Sequence, residues 1–543
     1  MTQHDISRTP GPRGLAILAG AGPGDEGLIT AAAAGWLSRA ECVVYDRLAN
    51  PALLKLAPAG AELIYVGKWV GKSVGKSPHG REMTQEQINR LLVEKVSQGK
   101  IVVRLKGGDP LVFGRGSEEA DALRRAGLDF RIVPGVTAAI AAGAYAGIPL
   151  TDRRVGPTLA LVTGHEDETK GQSAINWRAL AGIDTVVFYM GVGNLPAIAQ
   201  LLIEAGKSPQ TPVAVVHQAS TPAQKTVAGT LATIARIVEE AAIQPPSIII
   251  VGQVVAFRPQ LAWFERLPLF GKTVMVTRSR KGASALAGRL SELGAAVIES
   301  PTIEIHPADD PAPIDSALSR MGEFDWVVFT SPNGVDAVFD RLAACGLDAR
   351  VFAGRKIAAV GPGTAAALYR HGLRADLVPA EFTTEALGEA MTSAAAGLGD
   401  LAGKKVLLAR ADIATPLLPA MLRQAGAGVE ELTAYRTLPP ASLPPEAVDA
   451  LRAGKVDWIT FTSSSTVDNF LALIERHRAE AADAGAKGEA QVATAPLCLS
   501  ADIKLAAIGP VTAQSLRSHG YAPAVVADPH TIDALVKAMA GLK

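Results

Sequence analysis

Short runs of consecutive apolar residues recur along the chain, each followed by an Ala/Leu-rich stretch of helical character. The runs LAILAG (15–20), CVVYD (42–46), IVVRL (101–105), TLALVT (158–163), TVVFYM (185–190), VAVVH (213–217) and SIIIVGQVV (247–255) predict buried strands. Their alternation with helices predicts α/β architecture with mostly parallel sheets. Thr84, followed by Gln85-Glu86-Gln87, predicts a capping box and a helix start. The stretch 257–270 carries two prolines and no clean period, so residues 259–270 read as a linker between 14–258 and 271–543. Residues 1–13 are polar, lack the apolar segment of a signal peptide, and read as a disordered tail.

The second half repeats itself. Gly271-Lys272 matches Gly403-Lys404, Thr277-Arg278 matches Ala409-Arg410, Trp326 matches Trp458, and Phe329-Thr330-Ser331 matches Phe461-Thr462-Ser463, each 132 residues apart. Gly361-Pro362, Thr364 and His371-Gly372 match Gly509-Pro510, Thr512 and His519-Gly520 at a spacing of 148. The difference of 16 predicts an insertion in the second copy within 476–495. Two fixed offsets account for every match, so 271–543 reads as two homologous α/β lobes with a ligand cleft between them.

Composition narrows the partners. With 543 residues, two to four domains are expected. Lys+Arg and Asp+Glu are equal at 53 each, so no net charge draws the chain to nucleic acid or to a membrane surface. No apolar run is long enough to span a bilayer. Cys42, Cys345 and Cys498 form no CxxC pair, so neither a metal site nor a disulfide framework is indicated, and a reducing, cytoplasmic setting fits.

After the first strand comes Gly20-Ala21-Gly22-Pro23-Gly24-Asp25, and Asp46 ends the second. Read alone, this fits a dinucleotide site with Asp46 on a ribose, which would make the chain an NAD-dependent oxidoreductase. The order GxGxG and the missing amide of Pro23 argue against it. More motifs follow: Arg104-Leu105-Lys106-Gly107-Gly108-Asp109-Pro110, then Phe113-Gly114-Arg115-Gly116, Val133-Pro134-Gly135-Val136-Thr137-Ala138 and Tyr189-Met190-Gly191. With them, residues 14 to about 264 resemble uroporphyrinogen-III C-methyltransferase, of the tetrapyrrole methyltransferase family.

That resemblance implies a two-lobed α/β methyltransferase domain, S-adenosyl-L-methionine as methyl donor, no metal, and a homodimer formed through this half. It assigns the donor to Pro23, Gly107, Gly108, Asp109, Val112, Thr137, Ala138, Met190 and Ala219. Asp46 resembles the family's base and Lys68 its acid. The donor carries no phosphate, so close backbone approach at the glycines suits it better than an anion nest. The acceptor bears eight carboxylates and calls for cations, with Arg104 and Arg115 preferred because they flank the glycine loop. The chain departs from the family in a longer segment after Lys68 and in Asp152, where the family usually has His.

The duplicated half resembles uroporphyrinogen-III synthase, through VMVTRS, FDWVVFTSPNGVDAVF, AAVGPGTAAAL, TAYRT and FTSSSTVDNF. The resemblance implies a first lobe of 271–302 with 438–543 and a second of 303–437. Thr330, Ser331, Thr364, Thr462, Ser463 and Thr512 are candidate substrate contacts at helix N-termini, where free amides meet carboxylates. Tyr435 resembles the family's tyrosine, expected to help a hydroxyl leave. A bifunctional enzyme of siroheme or cobalamin synthesis follows. A methyltransferase carrying a non-catalytic tetrapyrrole-binding module is the alternative.

Overall fold

The computed structural model describes residues 14–67, 83–165, 174–278, 280–393, 401–486 and 497–542. They gather into two compact units. One holds the chain up to Lys272 with Leu290–Ala296, the other Thr273–Arg289 with Val297–Leu542.

The first unit contains two sheets. Strands β1 (Leu15–Gly20), β2 (Cys42–Tyr45), β3 (Glu62–Tyr65), β4 (Ile101–Lys106) and β5 (Asp129–Val133) form a parallel sheet in the order β3-β2-β4-β1-β5. Its central strands are apolar on both faces because both are covered. Ile17, Val43 and Val103 pack with Leu37 and Leu53 on one side, and Leu18, Val44 and Val102 with Leu92 and Leu123 on the other. The helix Gln85–Ser97 in the second layer opens with the expected reciprocal cap. Thr84 N–H donates to Gln87 Oε1 (2.7 Å), and Gln87 N–H to Thr84 Oγ1 (3.3 Å).

The second sheet takes β6 (Leu159–Thr163), β7 (Thr185–Tyr189), β8 (Pro212–His217), β9 (Lys225–Thr230) and β10 (Ser247–Val251), in the order β6-β7-β10-β8-β9. Only β6 and β7 run parallel, which corrects the expectation of mostly parallel sheets for this lobe. The reason is local: β8 and β9 form a hairpin, closed where Ser220 N–H donates to Gln224 Oε1 (2.9 Å). The run expected to continue to Val255 stops at Val251. Gly252 sits where a Cβ would lie 2.4 Å from Asp184 O, and a 3-10 turn follows.

Residues 259–270 are not a linker. Trp263 Nε1–H donates to Ala144 O (3.0 Å), Phe264 is buried against Tyr145, and Glu265 accepts from Arg258 (2.6 Å) and Gln224 (2.8 Å). The aromatic content that broke the helical period is what packs this segment onto the first unit.

The second unit is built from β11 (Thr273–Val276), β12 (Ala296–Glu299), β13 (Glu304–Pro307), β14 (Trp326–Phe329), β15 (Lys356–Ala359), β16 (Lys405–Ala411), β17 (Gly428–Leu438), β18 (Trp458–Phe461), β19 (Lys504–Ala507) and β20 (Val525–Val526). One sheet runs β12-β11-β18-β19-β20 and the other β13-β17-β16-β14-β15. The start of each copy is thus hydrogen-bonded to the remainder of the other: β11 pairs with β18 and β16 with β14. β13 and β17 run antiparallel, Glu304 opposite Leu438. The inserted residues lengthen a helix, since Pro332–Ala344 in the first copy corresponds to Ser464–Ala486 in the second. Residues 487–496 lie outside the described residues.

Candidate active sites

In the first unit the expected donor-binding residues converge at the carboxyl ends of β1, β4, β7 and β8, where open α/β sheets bind ligands. Gly22 and Gly108 exchange backbone hydrogen bonds (3.2 and 2.7 Å). The Gly22 amide is therefore engaged within the protein, which with the missing amide of Pro23 argues against the phosphate nest that the dinucleotide reading needs. Asp109 ties the loop together: Oδ1 accepts from Leu111 N (2.8 Å) and Val112 N (3.2 Å), and Oδ2 from Gly135 N (3.0 Å).

Gly108 has φ of +70°, and a Cβ there would come to 3.8–4.0 Å from the backbone of Val136, Thr137 and Ala138. A side chain would fill the space between the two loops, so this cradle fits a flat ligand held by backbone atoms. Gly107 is closer still, with its missing Cβ 2.4 Å from Leu48 Cβ, on the turn that carries Asp46. Pro23 precedes Gly24, whose missing Cβ would touch Ala219 O (2.9 Å) and Thr221 (2.8 Å).

Met190 follows Tyr189 at the end of β7, has φ of +53°, and is 56% exposed, so it is not core filler. The Tyr189 hydroxyl shares a hydrogen bond with Thr137 Oγ1 (2.7 Å) and accepts from Ala139 N (3.0 Å), and burial raises its pKa. Phe113 leans on the same ring at 4.9 Å. Positive φ at Phe113, Arg115, Met190, Gln218 and Ser220 concentrates backbone strain here, as functional sites do.

Asp46 lies at the end of β2, its side chain 25% exposed. Oδ1 accepts from Leu48 N (3.1 Å) and Oδ2 from Arg104 Nη2 (3.1 Å). Arg104, expected to meet acceptor carboxylates, is only 3% exposed and does not reach the surface. Its Nε donates to Glu119 Oε1 (3.0 Å) and its Nη1 to the carbonyls of Leu105 (3.2 Å) and Val44 (3.4 Å). Lys106 Nζ also donates to Glu119 Oε1 (2.9 Å), and burial, reinforced by Arg104, lowers its pKa.

Arg115 does stand at the surface, in a bidentate pair with Glu118 (2.7 and 2.8 Å) that raises its pKa. Asp152 is held by Arg154 Nε and Nη2 (both 2.8 Å), which bring its pKa down to about 2. Lys68 lies outside the described residues. Sequence reasoning missed Tyr189 and Glu119. The signal for Glu119 was present: two cations two residues apart in a buried strand require an acid opposite them.

In the second unit Ser331 caps the helix Pro332–Ala344, accepting from Gly334 N (3.0 Å), and its hydroxyl meets that of Tyr435 at 3.0 Å. Thr330, half-buried, precedes it. Beside this pair lies a cavity of 690 Å³ walled by Ile303, His306, Asn333, Asp336 and Tyr435. Thr462 and Ser463 are partly buried at the matching edge. Ser463 accepts from Thr466 N (3.2 Å), while Thr466 Oγ1 accepts from Ser463 N (3.2 Å).

Thr364 and Thr512 depart from expectation. They are 2% and 3% exposed and present no hydroxyl to a ligand. Their helices start at Pro362 and Pro510 with Gly361 and Gly509 as caps, which turns the threonines inward. Among the described residues no cluster of His, Cys, Asp or Glu is arranged to hold a metal, and no helix is long and apolar enough to cross a membrane.

Comparison with known proteins accounts for both halves. Residues 17–235 match the family model of tetrapyrrole (corrin/porphyrin) methylases, and 284–537 that of uroporphyrinogen-III synthase HemD. The porphyrin biosynthesis protein HemD of Ruminiclostridium josui is 38% identical over 84% of this chain and 88% of its own length. The uroporphyrinogen-III C-methyltransferase of Priestia megaterium is 49% identical over 45% of this chain and 99% of its own. A solved uroporphyrin-III C-methyltransferase of Thermus thermophilus, complexed with S-adenosyl homocysteine, is 39% identical, covers 45% of this chain and 99% of that one, and superposes with a TM-score of 0.38. The chain therefore belongs to the family of fused tetrapyrrole enzymes in which a uroporphyrinogen-III C-methyltransferase domain and a uroporphyrinogen-III synthase domain share one polypeptide.

Proposed function

We propose that the second unit closes hydroxymethylbilane to uroporphyrinogen III and that the first methylates this product twice to give precorrin-2. The observation that carries the methylation reading is the packing of Gly107 on Leu48, which joins the glycine cradle to the turn bearing Asp46. S-adenosyl-L-methionine, when bound, supplies an electrophilic methyl group. Gly107, Gly108, Thr137 and Ala138 hold it through the backbone, with Pro23, Asp109, Val112, Met190 and Ala219 around it. Methyl transfer breaks the S–CH3 bond and leaves the methylated pyrrole cationic. Asp46 takes the proton that this macrocycle then sheds from a position other than the methylated carbon, and alignment of the attacking carbon with the methyl contributes most of the acceleration. Arg115, at the surface beside the cradle, receives acceptor carboxylates. Lys68 is assigned as the acid.

In the second unit the paired hydroxyls of Ser331 and Tyr435 assist departure of the bilane hydroxyl. The remaining work is to hold the linear chain while its last ring inverts, with Thr330, Thr462 and Ser463 at the strand ends. The protein is read as cytoplasmic and as a homodimer through its first unit.

Mass spectrometry of the products from hydroxymethylbilane plus S-adenosyl-L-methionine tests the whole reading. A porphyrinogen carrying two added methyl groups is expected. Methylation only when uroporphyrinogen III is supplied ready-made would reduce the second unit to a binding module.

A further inference from the structure

The buried charges behind Asp46 have no part in the chemistry above. Arg104, Lys106 and Glu119 are all inside the protein, and Glu119 is fully buried. One oxygen of Glu119, Oε1, accepts from Arg104 Nε (3.0 Å), Lys106 Nζ (2.9 Å) and Gln85 Nε2 (3.3 Å). The other, Oε2, is buried with no partner among the described residues. An unsatisfied carboxylate oxygen is costly, and buried ion clusters of this kind are often no more stabilising than apolar residues of the same volume. Stability alone gives a poor account of this cluster.

Its geometry gives a better one. All three guanidinium nitrogens of Arg104 are engaged: Nε by Glu119, Nη1 by the carbonyls of Val44 and Leu105, Nη2 by Asp46. The guanidinium plane therefore cannot turn. Arg104 sits on β4 directly opposite Val44 of β2, two residues before Asp46, so it spans the two strand ends that carry the cradle and the carboxylate. Asp46 is the most exposed member of the cluster. The cluster is a rigid interior with one working end.

We propose that Arg104, locked by Glu119, is a positioning residue that fixes the Asp46 carboxylate for proton transfer during methylation. The proposal rests on the reading of Asp46 as the base. Arg104 touches neither donor nor acceptor and acts only through Asp46.

The test is a double-mutant cycle in the full-length protein, read by single-turnover methylation of uroporphyrinogen III, by KM for that acceptor, and by calorimetric affinity for S-adenosylhomocysteine. Asp46→Asn is expected to slow methyl transfer about a hundredfold. Arg104→Met should slow it about tenfold, with acceptor KM within about twofold of the parent, because only transition-state geometry is lost. Combined with Asp46→Asn, the Arg104 change should slow the reaction by less than about twofold more, since coupled residues are not additive. Glu119→Gln keeps the size of the side chain and should slow transfer in the same direction, again without further loss beside Asp46→Asn.

Equal losses from Arg104→Met in both backgrounds would make Arg104 merely structural and overturn the proposal. A raised acceptor KM with an unchanged rate would make Arg104 a substrate contact, and would overturn it too. An unchanged rate in Asp46→Asn would sink the base reading itself, a separate result. Should Arg104→Met fail to bind S-adenosylhomocysteine, the Glu119→Gln cycle decides by the same criteria.

Discussion

The two lobes of the second unit grew from one ancestral pattern, and where they still agree differs from where they have parted. At the strand starts they agree. Lys356 lies over Trp326 at 5.4 Å, and Lys504 over Trp458 at 5.3 Å. Asp325 accepts from Lys405 N (2.9 Å), and Asp457 from Thr273 N (2.8 Å), the same bond made across the two copies. At the strand ends they part. Arg410 is bound to Glu431 (2.8 Å) and to the carbonyls of Ala414 and Thr415, whereas its counterpart Arg278, partly buried, has no partner among the described residues. Burial pushes the Arg278 pKa down. Tyr435 corresponds to Ile303, and Phe382 to His530.

The largest effect expected from this contrast is at the two arginines. Arg278→Met should lower synthase kcat/KM for hydroxymethylbilane about 30-fold, the worth of one charge-assisted hydrogen bond to a carboxylate, and leave the melting temperature unchanged. Arg410→Met should do the reverse, destabilising the protein by about 2 kcal/mol through its unsatisfied carbonyls. If both arginines affect stability alone, the strand ends of the first lobe are not a ligand edge.

Tyr435 comes next. Tyr435→Phe removes the hydroxyl that meets Ser331 Oγ and should slow ring closure only about fivefold, the worth of one neutral hydrogen bond. Complete loss of closure with the fold intact would make Tyr435 the proton donor and enlarge the difference between the lobes.

This pattern also explains what was legible in the sequence. Every apolar run became a strand, most of them central strands covered on both faces, with β6 the one at a sheet edge. In the first unit β3, β5 and β9 were missed, and all three lie at sheet edges where few side chains are buried, as in DFRIV and KTVAGT. The glycine loops were legible because close backbone approach restricts residue type. Arg104 was misplaced because a sequence does not say whether a cation at a strand end points outward to a ligand or inward to a Glu119 fifteen residues later. Thr364 and Thr512 failed likewise: after Gly-Pro, the glycine takes the cap and the hydroxyl turns inward.

A smaller effect is expected at the caps. Ser331→Ala and Ser463→Ala each remove a side-chain acceptor at a helix start and should each lower stability by about 1 kcal/mol in chemical denaturation. Only Ser331→Ala should also lower synthase kcat, because only Ser331 meets Tyr435, whereas Ser463→Ala, at a strand end that holds the substrate, should act on KM alone. Equal kinetic effects would restore symmetry between the lobes.

The smallest effect sharpens the comparison at its most symmetrical point. His371 pairs with Asp336 (3.2 Å), and His519 with Asp468 (2.9 Å), the same contact in each copy. Exposed ion pairs contribute little, so the pairing alone would make both histidines nearly silent. They differ in what lies on the ring. His371 stacks on Phe339 at 4.2 Å with the planes 10° apart, and the His371 side chain is the less exposed of the two. In the second copy position 339 corresponds to Leu471, and the His519 ring has no aromatic stack among the described residues. His371→Ala should therefore cost about 1 kcal/mol, the lost stacking, whereas His519→Ala should stay within about 0.5 kcal/mol. Neither should change turnover of either unit. Equal costs, measured by urea unfolding of the full-length protein, would mean that the carboxylate partners carry the effect and that the aromatic stack adds nothing.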